Sequence, residues 1–354
     1  GITTITNLTY GLPHFSSVNT YIRIVKEKTA LRETIKYLTS FSGEAISEEI
    51  TPQTLAQNII DRFSELSKQS DFGRKGLTKF ADAIPDQIER WGKFLERRIT
   101  TIPTGIDEID SKLTGGGFEK GMMNVIMAEP GCGKTSLALD ITGNAASAGK
   151  VVVFFTLELS REVLIDRLVS PYAKLERYKI SPTWLNSADF SKLVAVSEAF
   201  KSANLFIDDS SFTLAEMRNS CRTIARETGG VIDLIVLDFL QNMNGDGKTL
   251  YEKTSMNSRG FAQICKEFNA AGVALSQISN DAQKREGDPK LSDARDSGAI
   301  GEVGRTIIAL YDADEAKPYR NVRYKCLKQG EGAQFKGDLI FDTELMTFGG
   351  RMVG

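Results

Sequence analysis

The run Ala128-Glu129-Pro130-Gly131-Cys132-Gly133-Lys134-Thr135 carries the densest chemistry in the sequence. It follows an apolar stretch, Asn124 to Ala128, and precedes a helical one, Ser136 to Ala146. A glycine-rich turn between a strand and a helix aims successive backbone N–H groups at a phosphate chain, and the positive end of the helix dipole adds to the attraction. In that arrangement Pro130, Gly131, Cys132, Gly133, Lys134, Thr135 and Ser136 cradle the phosphates. The Lys134 ammonium reaches the β- and γ-phosphates, and the Thr135 hydroxyl ligates Mg²⁺. Ala128 stands where the general pattern has glycine.

Such a loop needs a second acid to hold the metal and its waters. Leu234-Ile235-Val236-Leu237-Asp238 is an apolar strand ending in a carboxylate, which makes Asp238 the expected magnesium partner. Hydrolysis also needs a group that orients the attacking water. Phe154-Phe155-Thr156-Leu157-Glu158 is a second apolar run with an acid at its end, and Leu275-Ser276-Gln277 ends a third in an amide suited to a γ-phosphate. In a parallel sheet, strand C-termini gather on the edge where the phosphate loop lies, so Glu158 and Gln277 can approach the same ligand. The competing readings are a surface carboxylate for Asp238, a helix cap for Glu158 and an ordinary polar strand end for Gln277, and the phosphate loop upstream favours the functional roles of the two acids.

These groups need elements to position them. From Thr100 onward, short apolar strands (Asn124 to Ala128, Val151 to Thr156, Leu205 to Asp208, Leu234 to Asp238, Val273 to Ser276) alternate with helical stretches. That alternation predicts an α/β domain over 100–354, a mostly parallel sheet covered by helices on both faces. Asn321 to Phe348 is more hairpin-like. Residues 1–75 predict a helical hairpin. Tyr21, Ile24, Leu31, Ile35 and Leu38 share one face, Gly43 and the acidic stretch Glu44 to Glu49 interrupt it, and Thr51-Pro52 caps a second helix bearing Leu55, Ile59, Phe63 and Leu66. A hairpin alone buries little and calls for a partner surface. Residues 76–99 hold a polar connection and a lone helix starting near Pro85, with a stripe of Ile84, Ile88, Trp91 and Leu95 that packs on its own chain or on a neighbour.

The chain has 354 residues and a formal charge of −2, so no surplus of positive charge exists to hold nucleic acid in bulk. Any such site must be local. Cys132, Cys221, Cys265 and Cys326 are far apart and His14 is the only histidine, which argues against a structural zinc site and for reduced thiols. The apolar runs are too short to span a membrane and no signal peptide is visible, so a cytoplasmic protein is expected. The chain begins at Gly1 rather than Met, which suggests processing or a cut.

Taken in order, these residues resemble the DnaB family of replicative helicases, hexameric motors with a RecA-like ATPase core. Pro103-Thr104-Gly105-Ile106-Asp107-Glu108-Ile109-Asp110, then Leu113-Thr114-Gly115-Gly116, looks like the family's entry into its ATPase domain. Phe155 to Ser160 resembles its catalytic-glutamate motif, Leu237 to Gln241 its metal-binding strand and Ala274 to Gln277 its γ-phosphate-sensing strand. Leu291 to Ile300 resembles the loop that grips single-stranded DNA, and Asn19 to Lys28 the start of the hairpin that ends the family's N-terminal domain. The resemblance implies ATP and Mg²⁺ as ligands, a homo-oligomeric, hexameric ring, single-stranded DNA as the track, and primase and a helicase loader as partners. It implies that Arg295, Asp296 and Gly298 lie against DNA phosphates, and that the helix around Trp91 docks on the adjacent subunit. Residues 281–305 hold five basic and six acidic side chains, so binding would rest on a few placed donors repeated around a ring. The loop Asn244 to Ser258 could also face the channel.

Two departures from the family stand out. Where it has a lysine and, two residues on, an arginine reaching the neighbour's γ-phosphate, this chain has Cys326 and Lys328. Lysine keeps the charge but not the planar fork, which leaves Lys328, with Lys325 as stand-in, as the trans-acting cation. Arg305 reverses the charge expected in an acid-rich stretch. Two other readings fit part of the sequence: a RecA-fold ATPase switch of the RadA or KaiC kind, and a non-motor subunit that binds a replication partner.

Overall fold

The computed structural model describes residues 18–46, 50–52, 54–56, 58, 59, 62, 80–95, 101–245, 247–279, 282, 285, 287–294 and 298–348. The chain divides into two compact units, Gly1–Lys93 and Phe94–Gly354. Among the described residues, no helix is long and apolar enough to cross a membrane.

In the first unit, helix α1 runs Val18–Ile46 without a break at Gly43. One glycine costs a long helix only about 1 kcal/mol, too little to end it. Thr51 does start a second helical stretch. Its hydroxyl accepts the Thr54 N–H at 3.3 Å and its carbonyl the Leu55 N–H at 3.0 Å. The Arg62 guanidinium lies 5.7 Å from the centre of the Tyr37 ring, joining this stretch to α1. Leu31, Ile35 and Leu38, the expected packing stripe, are exposed. Helix α2 spans Phe80–Leu95 and so begins before Pro85 rather than at it. Ile88 and Trp91 face solvent.

The second unit is an α/β domain. Its elements are β1 (Thr101–Ile102), α3 (Asp107–Asp110), β2 (Phe118–Glu119), β3 (Met123–Ala128), α4 (Lys134–Ser147), β4 (Val152–Thr156), α5 (Arg161–Ala173), α6 (Ser187–Phe200), β5 (Leu205–Asp208), α7 (Leu214–Glu227), β6 (Leu234–Asp238), α8 (Leu250–Glu267), β7 (Ala271–Gln277), α9 (Gly298–Val303), β8 (Gly304–Tyr311), β9 (Tyr319–Gln329), β10 (Lys336–Asp342) and β11 (Thr347–Phe348). Nine strands form one sheet in the order β11-β10-β9-β8-β3-β7-β6-β4-β5. From β8 to β5 every pairing is parallel, and β9, β10 and β11 are added antiparallel. β1 and β2 pair separately.

The parallel strands read as continuous apolar runs because both faces are covered. Ile126, Phe154, Val236 and Leu275 turn to the side that holds Leu137 and Ile141 of α4 with Leu164 and Leu168 of α5. Their neighbours Val125, Met127, Val153, Phe155 and Ile235 turn to Met217 and Cys221 of α7 and Phe261 and Ile264 of α8. All four cysteines are buried free thiols. Strand β8, which the sequence reading did not single out, is the central partner that joins β3 to the antiparallel extension.

Candidate active site

The entry motif acts through Asp110. Its carboxylate accepts the Thr104 N–H at 2.8 Å, the Thr104 hydroxyl at 2.7 Å and the Gly105 N–H at 2.8 Å. Burial pushes its pKa up against these bonds. Gly105 sits at φ +76°, and a Cβ there would lie 2.1 Å from the Asn144 side chain of α4. That side chain in turn donates to the Thr104 carbonyl at 2.8 Å. Residues read as a family signature thus buttress the helix that follows the phosphate loop.

The loop between β3 and α4 turns through Gly131 (φ +78°) and Gly133 (φ +83°), a region that L side chains rarely adopt. At Gly133 a Cβ would also fall 2.7 Å from the Phe348 ring. β11 is fixed against α4 because Asp140 accepts the Thr347 hydroxyl and the Phe348 N–H, both at 2.7 Å. Arg320 of β9 donates to the Gly131 carbonyl at 3.2 Å. The Cys132 thiol faces inward, and burial pushes its pKa up to about 11, which leaves it protonated and unreactive.

Asp238 ends β6 under this loop and is fully buried. The Thr135 hydroxyl donates to its Oδ2 at 2.8 Å, and Lys134 Nζ stands 3.7 Å from its Oδ1. Burial raises the Asp238 pKa, and Lys134 followed by Thr135 pulls it back toward the ionised form. Oδ1 has no hydrogen bond of its own. A buried carboxylate oxygen with no hydrogen bond among the described residues, beside a hydroxyl, is the donor set that Mg²⁺ takes, so the residues fit the metal. Lys134 also lies 4.2 Å from the centre of the Phe239 ring, a contact the sequence reading did not anticipate.

Glu158, exposed just past β4, and Gln277, at the end of β7, open onto the same cavity as Pro130, Gly131, Gly133, Lys134, Thr135 and Ser136. The cavity measures about 320 Å³. Its further wall comes from Arg167, Phe239, Phe341 and Met346. No local pattern marks Arg167, Phe341 or Met346, because they come from a helix and a distant hairpin. Phe239 could have been suspected from its place after Asp238.

Other expected residues stand apart. Arg295 and Asp296 lie outside the described residues, and Gly298 opens α9. Ile278, next to Gln277, forms an antiparallel bridge with Ala294, so the start of the candidate DNA loop is pinned beside the end of β7. Within that segment Asp293 accepts Arg285 at 3.2 and 2.5 Å and the Lys290 N–H at 2.7 Å. Lys328 donates to the carbonyls of Gly301 (2.8 Å) and Glu302 (3.2 Å) near the end of α9. Lys325 pairs with Asp288 at 3.2 Å. Neither lysine lines the cavity of its own chain. Cys326, between them, is buried and its thiol is pushed up to about 11. The second candidate loop is shorter than expected, because Thr249 caps α8 and the chain is helical from Leu250. Arg305 bridges Glu119 (3.1 Å) and Glu331 (3.0 Å), which explains its reversed charge as a structural link.

With this geometry in view, residues 101–350 match the family of the DnaB-like helicase C-terminal domain. The chain belongs to the DnaB-like helicase family. Members are ATP-dependent DNA helicases, and this assignment favours the helicase reading over the switch and the non-motor subunit. The replicative DNA helicase DnaB of Geobacillus stearothermophilus is 29% identical over 321 residues, which cover 89% of this chain and 70% of that protein. DnaB of Buchnera aphidicola is 30% identical over 319 residues, covering 86% of this chain and 67% of that one. Among solved structures, an ATPase domain superposes with a TM-score of 0.69 at 24% identity, covering 77% of this chain and 99% of that domain. A DnaB-like replicative helicase, described with its interactions with primase, superposes with a TM-score of 0.68 at 21% identity over 98% of this chain and 82% of that one. The two superpositions share the RecA-like α/β fold.

Proposed function

We propose that this chain is the motor subunit of a homo-hexameric ring that hydrolyses ATP to move along single-stranded DNA and separate the duplex ahead of it. The observation that carries the reading is the convergence on a single cavity of Lys134 and Thr135 from the start of α4, Glu158 from just past β4 and Gln277 from the end of β7, with Asp238 of β6 bonded to Thr135 and close to Lys134. Backbone N–H groups of Gly131 to Ser136 bind the phosphate chain, with Lys134 neutralising the β- and γ-oxygens. Thr135 and Asp238 hold Mg²⁺, which supplies charge neutralisation at the phosphates. Glu158 orients the attacking water and takes its proton. Gln277 hydrogen-bonds the γ-phosphate and loses that partner on hydrolysis.

The Ile278–Ala294 bridge gives this loss a short route to the DNA loop. One residue beyond Ala294 stands Arg295, which with Asp296 and Gly298 meets DNA phosphates in this reading. Lys328, or Lys325 in its place, completes the site of the neighbouring subunit. Residues 1–75 form a helical hairpin that ends an N-terminal domain, 76–99 the connection whose helix docks on the adjacent subunit, and 100–354 the motor. Primase and a loader are partners of the ring, and its place is the cytoplasm.

The test is ATP- and Mg²⁺-dependent separation of a forked DNA duplex, with Lys134→Ala as control. Strand separation that the substitution abolishes is the expected outcome. ATP hydrolysis without any separation, at concentrations where rings form, would favour an assembly switch instead.

A further inference from the structure

Segment 278–294 leads from the end of β7 into the candidate DNA loop, and its described residues brace one another. Its base is closed twice, by the Ile278–Ala294 bridge and by the Ser279 N–H on the Asp293 carbonyl at 2.9 Å. Within it, the Asp293 carboxylate takes the Arg285 guanidinium on both oxygens and the Lys290 N–H besides. A two-point contact between arginine and carboxylate fixes orientation as well as distance. The segment is therefore built to move as one piece.

Asp288, outside that brace, meets three other strands. Its carboxylate accepts the Tyr311 hydroxyl of β8 at 3.0 Å, Lys325 of β9 at 3.2 Å and Lys336 of β10 at 3.5 Å. Lys325, and after it Tyr311, hold its pKa below the usual carboxylate range. In the sheet, β3 lies between β7 and β8. The segment thus reaches past the strand that feeds the phosphate loop, from the strand ending in Gln277 to the strand carrying the cations proposed for the neighbour. The other stem of the DNA loop reaches the same strand, through the Gly301 and Glu302 carbonyls on Lys328.

We propose that Asp288 is a positioning residue that makes Lys325 a second, DNA-controlled cation for the neighbour's phosphates, beside Lys328. At rest the carboxylate keeps Lys325 on its own chain. A shift of the DNA loop carries Asp288 away and frees the lysine. The inference rests on the ring, the nucleotide site and the DNA loop proposed above.

Three observations carry it. The base of the segment adjoins Gln277 and ends one residue before Arg295, so a change at the γ-phosphate or at the DNA acts on the same closed base. The brace passes that change to Asp288. Release is supplied by charge: Lys325 and Lys336 stand directly opposite each other across β9 and β10. Like charges so placed repel, and Asp288 is bonded to both. Once the carboxylate leaves, the two ammonium groups push apart. Finally, the pair is open to solvent, with 26% of the Lys325 side chain and 35% of the Asp288 side chain exposed. Such a pair holds weakly, which suits a contact that breaks in every cycle.

The test is ATP turnover by rings of the full chain, without DNA and with saturating oligothymidylate. Asp288→Asn, which keeps the shape and removes the charge, should raise DNA-free turnover about 2- to 30-fold, the range over which single substitutions shift a coupling. Stimulation by DNA should shrink by the same factor. Asp288→Glu, which keeps the charge, should retain the low DNA-free rate. Asp288→Asn combined with Lys325→Ala should return to that low rate, because the freed cation is gone. A merely structural pair would not speed the reaction when broken. DNA-free turnover that stays level or falls in Asp288→Asn would overturn the proposal, and so would a rise that survives the loss of Lys325. Unaltered rings that turn over ATP at one rate with and without DNA would instead sink the DNA-motor reading, and this inference with it, whatever the variants do.

Discussion

The nucleotide cradle and strand β9 belong to the same sheet, with only β8 between β9 and the strand that feeds the phosphate loop, and they are finished to different degrees. In the cradle, the proposed nucleotide-site groups already meet: Thr135 on Asp238, Lys134 close to the same carboxylate, Glu158 just past β4 and Gln277 at the end of β7, the strands that flank β6. On β9 the cations proposed to act on another chain are occupied at home, Lys328 on the carbonyls of α9 and Lys325 on Asp288. In the proposed ring this divides the work between subunits: the groups that bind substrate are already assembled within one chain, and a cation that acts on a neighbour must first release its local partner.

The strongest way to break this comparison lies in the cradle. Glu158→Gln should lower ATP turnover by a factor on the order of 10² to 10⁴, the usual worth of a positioned general base, while ATP binding persists. Turnover close to that of the unaltered chain would remove Glu158 from the mechanism. On β9 the expected effect is smaller and appears only in the assembled state. Lys328→Ala should cut turnover of rings by roughly 10²- to 10³-fold, toward the lower end of what a trans-acting cation supplies, and leave nucleotide affinity alone. Steady-state assays on Lys328→Ala, Lys325→Ala and Lys328→Arg would sharpen the assignment. A loss confined to Lys325→Ala would move the finger to that residue, and Lys328→Arg should raise turnover.

Smaller effects test the frame. Gly133→Ala should destabilise the motor unit by about 1 to 3 kcal/mol, since the left-handed backbone and the Phe348 ring both oppose a methyl group. Thermal melting would show it, and an unchanged melting temperature would mean that the loop relaxes freely. Away from the site, Asp208 accepts the hydroxyls of Ser210, Ser211 and Ser220, which hold its pKa down to about 2 against the cost of burial. A depressed carboxylate stabilises the fold above its unfolded value near 3.8, and that contribution is lost as pH falls toward 2. Asp208→Asn should cost about 1 kcal/mol at neutral pH, reduced for solvent screening, and the gap to the unaltered chain should close between about pH 4 and 2. Denaturant melts across that window measure it.

Much of the motor unit was legible because its chemistry sits at the ends of apolar runs. A buried parallel strand leaves a continuous hydrophobic signature, and the first polar residue past it lands on the ligand edge; Asp238 and Gln277 were readable for that reason, and Glu158 for nearly the same one. The expectations that failed were local rules overridden by length or context. Gly43 did not end α1, because a single glycine is a small penalty in a helix of 29 residues. Pro85 did not begin α2, since a proline near the N-terminal end sacrifices one hydrogen bond and the remaining stripe sustains the helix. Arg305 looked like a departure with functional weight, and it is a strut between Glu119 and Glu331. Arg167 and Met346 left no trace at all. They reach the cavity from a helix and a distant hairpin, which no single window of sequence contains.

In the proposed ring, the cradle binds nucleotide within one chain and completes its chemistry only with a neighbour. ATP turnover per chain, followed from ring-forming concentrations down to those at which the chain is monomeric, with nucleotide binding measured on the same samples, tests it most directly. Turnover is expected to collapse at the dilution where rings dissociate while binding continues. Turnover per chain that stays constant through that dilution would contradict it.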